Sequence, residues 1–170
     1  MSAEAFPKPA LRPMLPADVA VLAQIFADSI EVLAEDDYNE DQRAAWAAAA
    51  DDLAAFGKKL SEQLTLIATL AGAPVGFVSL KGADQLDMLY VHPEAALQGV
   101  ATALVDAVEK LAAARGAQRI TVDASDTARP LFDKRGYRAE SRNSVERDGE
   151  WLANTTMVKP LAAEPRRTLQ

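Results

Sequence analysis

Length, composition and charge already exclude several classes of protein. The 170 residues suffice for one domain with a sizeable core, and the formal net charge of −7 argues against a nucleic-acid-binding protein that depends on phosphate contacts. The chain has no cysteine and one histidine, His92, which excludes disulfides, a thiolate nucleophile and metal sites rich in either residue. No secretion-signal pattern and no apolar run of 18 residues are found, so we expect a cytoplasmic protein without a membrane span.

The predicted domain boundaries follow from the distribution of prolines and small polar residues along the chain. Residues 1–9 contain two prolines and are expected to form a flexible N-terminal arm. Residues 10–160 carry the periodic apolar pattern of a single domain. Residues 161–170 are expected to form a flexible C-terminal tail, and we find no internal repeat.

The first third of the domain is predicted to form a short strand and two helices. Residues 10–14 form the strand, and apolar residues then recur at helical spacing over residues 19–33, with Asp18 as the N-cap. A second, alanine-rich helix is predicted over residues 42–60. Between the helices, residues 35–41 include five acidic side chains and are expected to form a solvated loop leading into a helix N-terminus, where negative charge is favourable.

The middle of the chain predicts a hairpin and then a strand–loop–helix unit. Residues 64–70 and 75–80 form the hairpin, and residues 86–93 form a β-rich apolar run closed by a proline. A loop over residues 94–99 ends on a glycine, and apolar spacing predicts a long helix over residues 100–116. Unpaired backbone N–H groups at the start of that helix could bind a pyrophosphate, although an ordinary strand-to-helix connection is the alternative.

The last third predicts a strand, a short helix and a hairpin. Residues 120–124 form the strand, and residues 125–127 can cap a helix over residues 128–134. Two further strands over residues 138–159 are joined at Asp148-Gly149, a strong hairpin turn.

Two motifs resemble the GNAT superfamily of N-acetyltransferases. Leu89-Tyr90-Val91-His92-Pro93 followed by Gln98-Gly99-Val100-Ala101-Thr102-Ala103-Leu104 resembles its acetyl-CoA motif, Gln/Arg-x-x-Gly-x-Gly/Ala, which starts three residues after the proline. In that register the motif starts at Ala96, where the family has Gln or Arg. A register shifted by two would start at Gln98. The stretch Leu131-Phe132-Asp133-Lys134-Arg135-Gly136-Tyr137 resembles the family's Phe-Tyr-x-x-x-Gly-Phe motif.

The resemblance covers residues 11–159 and implies both a fold and an activity. The fold is α/β (α+β), a mixed and mostly antiparallel sheet of six to seven strands, splayed at its central strand and flanked by about four helices. The activity is acetyl-CoA-dependent transfer of an acetyl group directly to an amine, either a small cationic amine or a peptide amine, with no metal. Ala96 and Phe132 motivate an alternative, a non-catalytic acyl-CoA-binding or sensor protein. Homodimers are common in the family, and the last hairpin offers a sheet edge for one.

The resemblance also implies which residues bind the cofactor. The pantetheine arm would lie along backbone groups of the central strand, the pyrophosphate on backbone N–H groups at the helix start, and two further contacts would come from the region of the second motif. In this chain these residues are Leu89, Tyr90, Val91, Leu97, Gln98, Gly99, Val100, Ala101, Thr102, Asp126 and Phe132. A backbone N–H near Leu89 or Tyr90 would stabilise the oxyanion.

The catalytic and acceptor-binding residues are less sharply indicated. Asp87 and His92 are the candidate bases, and Tyr90 is a candidate acid because Phe132 lacks the hydroxyl that the family motif often supplies. Each could instead have a purely structural role, Asp87 and His92 at a strand end and Tyr90 in the core. The family's acceptor site borders the segment between the first two helices. Tyr38, Trp46 and Asp37 could therefore line it, with the acidic residues selecting a cation. Core packing is the alternative for both aromatic rings.

Overall fold

The computed structural model describes residues 8–161, and a seven-stranded sheet runs through it. Five of its six strand pairings in the described residues are antiparallel, and the pairing of β4 with β5 is parallel. The sheet order is β1-β2-β3-β4-β5-β7-β6. The strands are β1 Ala10–Pro13, β2 Leu64–Leu70, β3 Ala73–Lys81, β4 Gln85–Val91, β5 Arg119–Ser125, β6 Arg138–Arg147 and β7 Glu150–Pro160. The predicted fold class is confirmed. The predicted arm and tail lie largely outside the described residues, and the domain boundaries stay a prediction.

In the described part of the chain five α-helices flank the sheet, one more than the expected number of about four. They are α1 Val19–Leu33, α2 Glu40–Ala47, α3 Leu53–Ser61, α4 Val100–Ala114 and α5 Arg129–Lys134. The single helix predicted over residues 42–60 is wrong. The chain breaks at Asp51-Asp52, because the Asp52 carboxylate accepts a hydrogen bond from the Ala55 N–H at 3.1 Å and so caps a new helix. Within residues 8–161 we find no helix long and apolar enough to cross a bilayer.

Asp18 does not cap α1 as predicted. Its carboxylate accepts hydrogen bonds from both terminal nitrogens of Arg12 at 2.8 Å and from the Leu15 N–H at 2.7 Å. These bonds, the one to the guanidinium above all, hold the pKa of the Asp18 carboxyl below its usual range. Asp18 therefore ties β1 to the start of α1 instead of satisfying helix N–H groups.

The sheet separates two apolar cores. Helices α4 and α5 cover one face, where Leu104, Val108 and Phe132 are at most 1% exposed. Helices α1 and α3 cover the other face, with Phe26 and Leu60 buried there against the sheet. Each fully buried side chain of this size contributes about 1.5–3 kcal/mol to the stability of the fold. Apolar side chains therefore pack against the central strand on both faces of the sheet.

The central strand carries a β-bulge that opens the sheet. Ser79 pairs with Met88 but Leu80 pairs with Leu86, so Asp87 is an extra residue in β4. The Met88 N–H donates to the Ser79 hydroxyl at 3.1 Å. Pairing of β4 with β5 stops at Leu86, directly before the bulge. We call the gap beyond it, between residues 87–91 of β4 and 123–125 of β5, the fork.

Candidate active site

Six consecutive backbone N–H groups stand free where β4 leads into α4. The first helical hydrogen bond of this segment runs from the Ala103 N–H to the Gly99 carbonyl at 3.0 Å. Across residues 8–161, the N–H groups of residues 97–102 have no acceptor. The Gln98 side chain turns back, donating from Nε2 to the Glu94 carbonyl at 3.1 Å. We call residues 97–102 the amide cradle, since such an array binds anions at a helix N-terminus.

Two positive φ angles shape the amide cradle. Gly99, the N-cap of α4, has φ +81°, which glycine adopts without the strain of a Cβ. Leu97 has φ +63°, and its side chain is fully exposed. A Cβ built on Gly99 would meet no protein atom within 4 Å. The cradle is therefore open on the side where an anion would approach.

Two cavities meet at the fork. The cradle cavity, of about 380 Å³, is bounded by the amide cradle, by α1 and by β4. The fork cavity, of about 290 Å³, lies between β4, β5 and the β6–β7 hairpin. Five residues line both cavities: Trp46, Leu89, Tyr90, Ser125 and Ala128. One ligand could therefore reach from the amide cradle to the fork and meet a second ligand there.

Backbone groups of β4 face the fork. The His92 N–H donates to the Val75 carbonyl at 2.7 Å, which marks a hydrogen-bonded pair in the antiparallel ladder with β3. Because hydrogen-bonded and non-hydrogen-bonded pairs alternate, Leu89 and Val91 turn their N–H and carbonyl groups away from β3. With β5 diverged, these groups are open to a ligand that lies along the strand.

An aromatic cluster stands between the two cavities. The Trp46 indole N–H donates to the Tyr90 hydroxyl at 3.1 Å, and the rings of Trp46 and Tyr38 lie 5.3 Å apart in an edge-on arrangement. Burial raises the pKa of Tyr90, so the phenol keeps its proton near neutral pH. Within residues 8–161 that proton has no acceptor, which leaves it available to a ligand.

Tyr38 and Trp46 both pack in the core and line the fork cavity, so the two alternatives for them coexist. They lie on different elements, because Tyr38 precedes α2 and Trp46 lies within it. The Tyr38 side chain is only 4% exposed. Its hydroxyl donates to the Ala153 carbonyl at 2.6 Å and accepts from the Asp126 N–H at 2.9 Å. Burial raises its pKa, and the phenol links Ala153 on β7 to Asp126, which directly follows β5.

Of the two candidate bases, Asp87 lies in the fork cavity and His92 lies outside both cavities. Asp87 lines the fork cavity, and its Oδ2 accepts from Gln63 Nε2 at 2.9 Å and lies 3.5 Å from Lys59 Nζ. His92 lines neither cavity. Its Nε2 lies 3.3 Å from Asp28 Oδ2, and its Nδ1 accepts from the Glu94 N–H at 3.2 Å. The geometry favours Asp87 over His92.

Two further predicted residues, both acidic, are held by partners in the fold. Asp37 accepts from the Thr127 hydroxyl at 2.9 Å, and Asp126 is paired with Arg142, with one contact at 2.9 Å. That pairing keeps the pKa of Asp126 below its usual range. Neither carboxylate lines the cradle cavity or the fork cavity, whereas Phe132, 1% exposed, does line the fork cavity. Of the acidic segment 35–41, only Tyr38 reaches a cavity wall.

Sequence reasoning missed five polar residues of the fork cavity. They are Gln85, Asp123, Ser125, Arg147 and Asn154. Asp123 could have been found, because it alternates with two buried neighbours on β5. Arg147 and Asn154 reach the cavity only through the fold of the β6–β7 hairpin. Among the described residues, no group of three or more His, Asp or Glu side chains is arranged to hold a metal ion.

Comparisons with known proteins define the family to which this fold belongs. The family model described as an acetyltransferase (GNAT) domain matches residues 34–161. The uncharacterized N-acetyltransferase YafP of Escherichia coli (strain K12) is 33% identical over 147 residues, which cover 86% of this chain and 93% of that protein. The chain therefore belongs to the GNAT family of N-acetyltransferases, which confirms the resemblance seen in the two motifs.

Solved structures agree on the fold. A crystal structure from Rhodopseudomonas palustris, described as a GCN5-related N-acetyltransferase and as "Aminotransferase, Class-II", is 61% identical. It superimposes with a TM-score of 0.91, covering 94% of this chain and 100% of that chain. The PaiA N-acetyltransferase of Thermoplasma acidophilum, solved with coenzyme A, is 18% identical. Its TM-score is 0.75 over 91% of this chain and 99% of that chain.

Proposed function

We propose that this protein transfers an acetyl group from acetyl-CoA directly to an amine. The observation that carries the proposal is the amide cradle, whose cavity opens into the fork. Family membership supports acetyl transfer, and the coenzyme A bound to the structurally similar PaiA enzyme supports the choice of donor. The cytoplasmic location and a homodimer stay predictions.

The residues present fit acetyl-CoA as a substrate. Six unpaired N–H groups at the start of α4 match the acceptor oxygens of a pyrophosphate, and Gly99 leaves room for it. The outward N–H and carbonyl groups of Leu89 and Val91 match the amides of the pantetheine arm, which would pair with β4 as a neighbouring strand does. Acetyl-CoA would supply the thioester that the amine attacks.

Holding and polarising the thioester falls to the backbone. Orientation of two reactants in one cleft contributes roughly 7–11 kcal/mol. We assign oxyanion stabilisation to the Leu89 N–H, because it faces the fork while the Tyr90 N–H is directed to β3. One such donor is worth about 3–4 kcal/mol.

Proton transfer requires a base and a donor at the fork. Asp87 is the best-placed base for the amine proton, directly or through water, since it is the candidate base that lines the fork cavity. The Tyr90 phenol can donate a hydrogen bond to the departing thiolate, because its proton is free and Phe132 offers no hydroxyl, and the released thiolate then takes its proton from solvent. The chain has no cysteine to carry an acyl group, which supports direct transfer.

The first test is acetyl-CoA binding by calorimetry to the wild type and to Ala101→Glu. Residue 101 lies in the first turn of α4, where a glutamate is favourable for the helix but repels a pyrophosphate in the amide cradle. We expect binding to weaken at least tenfold with little change in the melting temperature. Ala107→Glu, farther along the same helix and away from both cavities, is the matched control and should bind normally.

A second candidate function is acyl-CoA binding without catalysis. Phe132 supports it, because the buried ring supplies no proton where the family motif often has a tyrosine. Thiol release from acetyl-CoA in the presence of an amine panel separates the two functions. Tight binding with no amine-dependent release would favour the binding protein, and no binding at all would contradict both.

A further inference from the structure

One unpaired cation lines the fork cavity. Arg147 lies at the end of β6, next to the hairpin turn, and contributes to the cavity wall. Within residues 8–161 its guanidinium has no carboxylate within 4 Å and no hydrogen-bond partner, whereas Arg12, Arg135 and Arg142 are all paired.

The other unpaired arginines serve as a comparison. Arg115, Arg119 and Arg138 also lack a partner in the described part of the chain, but they line neither cavity. An unpaired arginine on an open surface is solvated and needs no ligand. Arg147 is also exposed, but it differs because it lines a cleft together with Leu152, Val145 and Phe132, where a planar guanidinium is suited to bind an acid group through two parallel hydrogen bonds.

Two carboxylates flank the fork in the same cavity. Asp87 and Asp123 each follow the last paired residues of β4 and β5, Leu86 and Val122. Asp123 Oδ1 accepts from the Thr156 hydroxyl at 2.7 Å, and Asp87 Oδ2 accepts from Gln63. The second oxygen of each carboxylate has no hydrogen-bond donor among residues 8–161, so both can accept from an ammonium group.

The negative charge of Asp87 and the positive charge of Arg147 both act on the Tyr90 phenol. Burial is the main cause of the raised pKa of Tyr90, but Asp87 raises it further and Arg147 lowers it. Both charges therefore reach the phenol that stands between the two cavities. The cavity consequently presents carboxylates and a guanidinium to a ligand that lies beside Tyr90.

We propose that the acceptor is an amine that also carries a carboxylate, as an amino acid does. Asp87 and Asp123 would hold its ammonium end at the fork, and Arg147 would bind its carboxylate. A purely cationic amine would leave Arg147 facing a like charge, which disfavours it. This inference rests on the proposed acetyl transfer. The sequence predicts that residues 35–41 select the acceptor, but their carboxylates line neither cavity. Selection falls to the residues of the fork cavity instead.

The test compares each common amino acid with its own primary amide as acceptor. Thiol release from acetyl-CoA is measured for the wild type, Arg147→Gln and Arg147→Lys, with Arg138→Gln as the matched control on the same strand. The amide keeps the amine and the side chain but loses the carboxylate. Because it also lowers the pKa of the amine, more of the amide is unprotonated, so amine reactivity alone would favour the amide.

We expect the wild type to prefer at least one free amino acid over its amide by tenfold or more in kcat/KM. Arg147→Gln should remove that preference, mainly through KM, because a hydrogen bond between charged groups is worth roughly ten- to a hundredfold in affinity. Arg147→Lys should restore part of it, and Arg138→Gln should behave as wild type.

The possible failures are distinguishable. Transfer to amides as fast as to acids, or an Arg147→Gln loss that is equal for both, overturns the inference and leaves acetyl transfer standing. Transfer to other amines but to no amino acid or amide also overturns the inference alone, whereas absence of thiol release with every amine tested, while acetyl-CoA still binds, overturns the proposed function and the inference together.

Discussion

Tyr90 is the residue at which the two halves of the proposed reaction meet. Tyr90 lines both cavities, its hydroxyl accepts a hydrogen bond from Trp46, and its raised pKa keeps the phenol protonated. A phenol of this kind can donate a hydrogen bond to a developing thiolate without itself ionising at neutral pH. The role that the family motif often gives to a tyrosine on α5 would then fall to a tyrosine on β4.

Tyr90→Phe tests that role. We expect kcat to fall by about 10- to 100-fold, because the leaving sulfur loses its donor, while acetyl-CoA affinity stays within twofold. The free energy of unfolding should fall by about 1 kcal/mol, since the Trp46 N–H loses its acceptor. Steady-state kinetics and urea unfolding measure the two effects.

Tyr137→Phe is the control for this prediction. Tyr137 is a buried tyrosine whose hydroxyl has no hydrogen-bond partner within residues 8–161 and which lines neither cavity. If it lowered kcat as much as Tyr90→Phe, the loss would reflect stability and the donor role would be wrong.

At the scale of the elements, the site depends on the bulge in β4. The extra residue, Asp87, ends the pairing with β5 and directs its own carboxylate into the fork cavity. The Ser79 hydroxyl stabilises the bulge by accepting from the Met88 N–H. Bulges are frequent next to active sites because they redirect side chains and end strand pairing.

Ser79→Ala should weaken the bulge. Ser79 is fully buried, so the substitution leaves the Met88 N–H without an acceptor and should lower the free energy of unfolding by about 1–3 kcal/mol. We also expect a lower kcat, because the backbone of Leu89 would shift. Ser144→Ala, at an exposed position of β6, should change neither quantity. Unchanged unfolding of Ser79→Ala would contradict the proposed role of this hydrogen bond.

At the scale of the whole molecule, all three tyrosines of the sequence have a raised pKa, and burial is the main cause for each. A raised native pKa means that the unfolded chain, with pKa near 10, loses its phenolic protons first. The stability that the neutral phenols contribute is therefore complete below pH 10 and declines as the pH rises above it.

The free energy of unfolding should consequently fall above pH 10, by up to about 1.4 kcal/mol per pH unit for each tyrosine. Urea unfolding at pH 8 to 11 measures the slope, and Tyr137→Phe should reduce it. Phenolate absorbance of the native protein supplies the second measurement. Half-ionised tyrosine at pH 10 in the folded protein would contradict the prediction.

Local patterns were sufficient for the scaffold and for the amide cradle. Strand β4, the glycine at 99 and the helical spacing from Val100 are neighbours in sequence, so their geometry follows from short-range rules on φ, helix period and capping. The break before α3 was missed because alanine-rich spacing outweighed Asp52, whose capping bond is a single local contact.

By itself, the sequence determined the family, the strand–loop–helix unit and the place of the unpaired N–H groups. Only the tertiary structure decided which charged side chains face the fork. Asp37, Asp126 and His92 are held by Thr127, Arg142 and Asp28, whereas Asp87, Asp123 and Arg147 line the fork cavity. The physical reason is that periodicity assigns a side chain to one face of its own element. Its partners depend on contacts between residues far apart in the chain.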